Sequence, residues 1–189
     1  MVSYPGGTMP MLEITGDHTM LAAHYSPTAR YSLGASTTYL NDDNAWLHFA
    51  EANWLAIRKN YPTSQANFYL RGGAGLAEAG GRTAPAGFAG IIADWEDRRY
   101  MVAYDGKYTM SALGRVDSHL EQRFRAGIAP YKAPYEDWQP WMILQLDHHP
   151  EGHTPLEVTP VLRAFKGPVL GELGISNKGD LFFALNYQF

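Results

Sequence analysis

The sequence predicts an all-β fold: a transmembrane, antiparallel, up-and-down β-barrel of twelve strands. Three observations carry this expectation. Apolar and polar residues alternate with period two in segment after segment, the faces opposite the apolar ones carry charge, and aromatic residues bracket several apolar faces. At 189 residues the chain fits one domain, so residues 1–189 are read as a single barrel.

Bulk properties narrow the classes first. Hydrophobic residues make up 46% of the chain and charged ones 18%, which argues against disorder. A formal charge of −4 and a pI near 5.9 offer no basic surface, so no nucleic-acid partner is expected. With no cysteine, disulfides, thiolate metal centres and a cysteine nucleophile are excluded together. No apolar run reaches the ~18 residues of a membrane-crossing helix. The slightly polar mean hydropathy of −0.29 remains compatible with a barrel, which needs apolar residues only at every second position. The first residues lack the charged and apolar regions of a signal peptide, so such a barrel is expected as a mature chain.

The strands follow in order. Glycine (19) and proline (12) recur too often for long helices, and only residues 45–59 could be read as one. In 29–40, Tyr31, Leu33, Ala35, Thr37 and Tyr39 share a face against Arg30, Ser32, Gly34 and Ser36. In 66–77, Phe68, Leu70 and Leu76 oppose Asn67, Tyr69 and Arg71. In 98–112, Tyr100, Val102, Tyr104, Tyr108 and Met110 oppose Arg99, Asp105 and Lys107. A hairpin turn at Asp105-Gly106 competes there, but it would break the parity that the even positions keep. Residues 119–128, 138–147, 156–163, 169–175 and 181–189 continue the pattern, with Gln122 out of phase and Trp141 and Ile143 blurring the contrast. Weaker segments at 10–16, 18–26, 45–60 and 84–95 bring the number to twelve; ten remain if the two short first segments are not strands. Turn-forming clusters at 26–28, 41–44, 60–63, 80–83, 133–136, 150–152 and 177–180 separate the runs.

A soluble sandwich or barrel would alternate too, so the choice rests on what each face carries. Tyr31 and Tyr39 are eight residues apart on one face, as are Trp46 and Trp54. Eight residues at about 3.3 Å each span roughly 26 Å. After tilt this approaches the height of an apolar band between two aromatic girdles. The opposite faces carry Arg71, Arg99, Glu121, Arg123, Arg125, Glu157, Arg163 and Glu172. In a soluble barrel these groups would occupy a dry core, where unpaired charge is costly. With the faces exchanged they line a lumen.

The chain ends Leu181-Phe182-Phe183-Ala184-Leu185-Asn186-Tyr187-Gln188-Phe189. Phe189, Tyr187, Leu185, Phe183 and Leu181 place an aromatic or apolar residue at every alternate position back from the terminus. This segment resembles the last strand of bacterial outer-membrane β-barrel proteins. The resemblance covers about ten residues. It implies outer-membrane lipid as the surroundings, and the barrel-assembly machinery as the partner that reads this strand during insertion. More loosely, the size and strand count resemble narrow substrate-specific porins, although the lumen expected here is mixed in sign where theirs is basic.

Three function classes stay open. The first is a narrow, partly obstructed channel for small polar solutes or ions, because near balance of lumen charge argues against a strong one-sign funnel. The second is a metal-binding or metal-transport component. Met11, His18, Met20 and His24 are expected on the lumen face, and thioether and imidazole suit copper or another soft to borderline ion. Their spacing along a strand spreads them over about 20 Å. The third is a closed structural or partner-binding barrel. No enzyme is expected. Asp117, Ser118 and His119 are consecutive and do not make a triad, and Asp147, His148, His149 and His153 read as a solvated loop on the side away from the termini. The sequence names no periplasmic partner.

Overall fold

The computed structural model describes residues 2–114, 116, 118–132, 134, 137–150 and 155–189. Twelve strands form a closed ring: β1 (Thr8–Ile14), β2 (His18–Thr28), β3 (Tyr31–Leu40), β4 (Ala45–Asn60), β5 (Ser64–Ala79), β6 (Arg82–Asp97), β7 (Tyr100–Ser111), β8 (His119–Ile128), β9 (Gln139–His148), β10 (Leu156–Lys166), β11 (Val169–Ile175) and β12 (Leu181–Tyr187). Each strand pairs antiparallel with its neighbours in sequence, and β1 closes on β12 in the register Met11↔Asn186 to Ile14↔Phe183. Closure leaves no strand edge, the condition for a sheet in lipid. Segments 10–16 and 18–26 are strands, so the number is twelve.

An even number of strands puts both termini at one rim, called here the terminal rim; the opposite one is the far rim. Short turns connect most strands. Gly80 and Gly81, at φ +57° and +75°, make the two-residue hairpin between β5 and β6, a conformation that side chains with a Cβ resist. β4, β5 and β6 have 16 residues each, roughly 50 Å of strand, so their polar ends extend past an apolar band of about 25 Å.

Alternation assigns every face. On β2, Leu21, Ala23 and Tyr25 are exposed while Ala22, His24 and Ser26 are buried. Outside, an apolar belt includes Leu33, Leu70, Ile91, Phe124, Leu144, Leu162, Leu173 and Leu185, between 37 and 64% exposed. So large a contiguous apolar surface is stable only against lipid. The cross-strand pairs Tyr31↔Trp54 and Tyr39↔Trp46 stand at its two edges, and the second pair is in ring contact at 4.9 Å. The barrel is transmembrane, with its apolar side chains outward.

Several expectations are refined. Asp105-Gly106 lies within β7 and makes no turn. Residue 56 forms a bulge against β5, where the register passes from Leu55↔Tyr69 to Ile57↔Phe68. This inverts the parity of the end of β4 and turns Arg58 inward. Gln122 faces outward, its amide meeting Nδ1 of His148 at 3.1 Å and accepting from the Tyr104 hydroxyl at 3.2 Å. Trp141 and Ile143 face inward, where they join Met101, Val161, Phe182 and Ala184 in an apolar cluster. A second cluster of Leu47, Phe49, Ala77, Phe88, Leu113 and Val116 fills the far end of the β4–β6 half. The interior is therefore partly packed at opposite ends of opposite halves.

Candidate functional site

Between the two clusters runs a cavity of about 470 Å³. Its lining passes obliquely from Thr15, Asp17 and His149 at the far rim to Gln65, Asp94 and Glu96 at the terminal rim. Period-two alternation in β5, β7, β8, β9, β10 and β11 places charged side chains on the lining. Arg71, Glu121, Arg123, Arg125, Glu157, Arg163 and Glu172 are among the residues that line it. Arg99 does not. It is exposed on the two-residue turn after β6, where its backbone N–H donates to Asp97 Oδ1 at 2.5 Å. β7 begins at Tyr100, two residues later than the alternating run 98–112 implies, because the Asp97 carboxylate caps the turn and also accepts from the Tyr100 N–H.

The charges are organised as pairs. Arg123 Nε donates to Asp147 Oδ1 at 2.6 Å, and its Nη1 reaches both Glu13 oxygens at 3.1 Å. Asp147 is on the adjacent strand, but Glu13 is on β1, five strand positions round the ring from β8. The Arg123–Glu13 contact is thus a strut across the lumen. Arg125 donates through Nη1 and Nη2 to the two oxygens of Glu172 at 3.2 and 2.7 Å, and Arg163 Nε donates to Glu172 Oε1 at 2.5 Å. Phe182 projects between them, with the Arg123 and Arg125 guanidinium carbons 5.5 and 5.6 Å from its ring centre. Lys107 pairs with Glu121 at 3.0 Å, and Arg71 pairs with Asp105. Two-pronged arginine–carboxylate contacts fix geometry as well as charge, so this layer is rigid where lone lysines would not be.

Two pairs cross over an intervening strand, and a glycine makes room for each. His24, Gly34 and Glu51 are in register across β2, β3 and β4, and His24 Nε2 meets Glu51 Oε2 at 2.9 Å. A Cβ on Gly34 would lie 2.5 Å from the His24 ring. Likewise Arg71 passes Gly90 on β6 to reach Asp105 on β7, and a Cβ there would lie 2.9 Å from Arg71 Nε. At the far rim, Lys178 on the turn after β11 donates to Glu157 Oε2 at 2.8 Å. That bond holds its ammonium above the ordinary lysine value.

The two histidines of the methionine and histidine set are held by separate carboxylates. Met11 and Met20 face the lumen as expected and line the cavity. His18 and His24 are six residues apart on β2, each occupied by its own carboxylate, His18 Nε2 by Glu13 Oε1 at 3.3 Å and His24 by Glu51. Among the described residues no group of three or more His, Asp or Glu side chains could hold a metal ion. The copper-like reading therefore gains no support. Asp117 and His153 lie outside the described residues, as do parts of the expected turns at 133–136 and 150–152. Ser118 Oγ accepts from the Ser111 N–H, and His119 faces Glu121 at 3.7 Å.

Sequence reasoning put Glu13 on the inner face without its partner and left out Asp105; Asp147 and His148, read as part of a solvated loop, lie in β9, with Asp147 buried against Arg123. What it lacked was the ring: only closure brings β1 opposite β8. Gln145 was also visible as a polar position, but not that its Nε2 would donate to Asp147 Oδ2 at 2.7 Å.

No protein-family model and no curated sequence matches the chain. Among solved structures, it is similar to KdgM porin in complex with disordered oligogalacturonate, at 8% identity, with 97% of this chain and 98% of that one covered and a TM-score of 0.56. It is similar as well to a second structure of KdgM porin, at 7% identity, 97% and 98% coverage and a TM-score of 0.53. At such identities the likeness is one of fold: a closed, twelve-strand antiparallel barrel traversed end to end.

Proposed function

We propose that this chain is a bacterial outer-membrane channel that passes small polar solutes or ions through a narrow, partly obstructed lumen. One observation carries the proposal: a cavity with charged side chains along a lining that reaches both rims of a barrel with an apolar exterior. A sealed scaffold has no need of a continuous charged interior, because apolar packing would close it at lower electrostatic cost. The porin fold of the structures it resembles supports the same reading. The saccharide held by one of them belongs to that protein, and the lumen here is not a basic one.

The obstruction is specific. Apolar clusters narrow opposite ends on opposite halves, and the Arg123–Glu13 strut divides the passage between them. Transport is therefore confined to small solutes. The exposed Phe189, Tyr187, Leu185 and Leu181 face lipid, in keeping with the terminal strand acting as the segment read by the barrel-assembly machinery.

Planar-bilayer recording of the refolded protein tests the channel. Discrete, small conductance steps are expected. A bilayer that stays silent over a wide range of voltage would support instead a closed structural barrel, a reading that the two apolar clusters favour.

A further inference from the structure

We infer that the lumen selects for small cations over anions. This rests on the channel reading above and deepens it by naming the class of solute. Nine carboxylates line the cavity against five basic side chains. Each of the five bases is already held: Arg71 by Asp105, Lys107 by Glu121, Arg123 by Glu13 and Asp147, and Arg125 and Arg163 by Glu172. Those pairings neutralise five carboxylates and all five bases. Of the other four carboxylates, Glu157 is met by Lys178 at the far rim. Asp17 at the far mouth and Asp94 and Glu96 at the terminal mouth form no salt bridge among the described residues. Arg58 stands beside the terminal mouth, where its guanidinium donates to Asn67 Oδ1 at 2.8 Å and to the Tyr69 hydroxyl at 3.4 Å, and its charge offsets one of the two carboxylates there.

An anion entering this passage meets an excess of negative charge at either end, Asp17 at the far mouth and Asp94 with Glu96 against Arg58 at the terminal one. Further in, it must displace a carboxylate from a guanidinium already held by one or two. A cation meets the mouth carboxylates without breaking any ion pair. Low-dielectric walls concentrate such a field along a narrow lumen.

The test is the reversal potential of the refolded protein in planar bilayers under a potassium chloride gradient. Salt is kept low, because a Debye length of about 10 Å at 0.1 M already screens exposed charge. Potassium is expected to be several-fold more permeant than chloride. The isosteric pair Asp94→Asn with Glu96→Gln is expected to move the reversal potential toward zero. Reversal at zero, or toward the chloride potential, in the unaltered protein would overturn this inference and leave the channel standing. An unmoved reversal potential in the double variant would overturn the assignment to these two mouth carboxylates. A bilayer without steps would bring down the channel reading itself, and the selectivity with it.

Discussion

Arg123 makes more of the lumen's connections than any other side chain named here. It bonds Asp147 on the next strand, reaches Glu13 across the ring and covers one side of Phe182. Removing one member of such a buried pair strands the other charge, at a cost of about 3–5 kcal/mol, so single variants risk confusing stability with gating. Replacing all three members, Arg123→Gln with Glu13→Gln and Asp147→Asn, strands neither carboxylate and removes the strut. Single-channel recording should then show larger conductance steps, and steps of unaltered size would mean that the strut does not limit flow. On the opposite surface, Leu144 is 50% exposed at the middle of β9. Leu144→Arg should destabilise the barrel by about 2–4 kcal/mol in urea unfolding from lipid vesicles, the cost of a charge near the bilayer midplane. At this scale the sequence was readable wherever parity held. Arg99 misled because alternation alone cannot show where a hairpin ends. Arg58 turned inward through a bulge that no propensity marks, and Gln122 faces outward because Tyr104 and His148 satisfy its amide.

Strands alternate in sequence because each lies between lipid and lumen, and the strongest runs were legible for that reason. The first two strands were harder to read, since β1 is only seven residues long. Between strands, two glycines do what sequence could not announce: they let a side chain lie flat on the wall and reach the strand beyond. Gly90→Val should push Arg71 off Asp105 and press on the Gly106 carbonyl oxygen, which a Cβ would approach to 2.6 Å. Gly171 has nothing within 4 Å of such a Cβ, so Gly171→Ala should be nearly neutral in the same unfolding assay. Equal losses from both would refute the spatial explanation. The terminal strand carries a different prediction. Phe189→Ser should lower the amount of assembled barrel in cells, measured by surface protease protection, while refolding into detergent micelles changes little. Similar losses in both settings would point to a structural role for the ring and none in assembly.

The whole molecule is an inverted protein: its densest charge is inside and its largest apolar surface outside. That inversion could be read from the sequence, because arginines and glutamates shared faces opposite leucines and tyrosines. The state of the lumen could not. Whether mixed charges are solvated, paired or bridged depends on which strands face one another, and that is a property of the closed ring. Near balance of sign thus concealed both the strut and the surplus of carboxylates at the mouths. Tryptophan quenching by brominated lipids examines the inversion itself. In single-tryptophan variants refolded into bilayers, Trp54, 52% exposed on the outer wall, should be quenched strongly by acyl-chain bromines. Trp141, 7% exposed within the barrel, should be spared. Quenching of Trp141 equal to or greater than that of Trp54 would place the apolar face inside and end the case for a lipid-facing barrel.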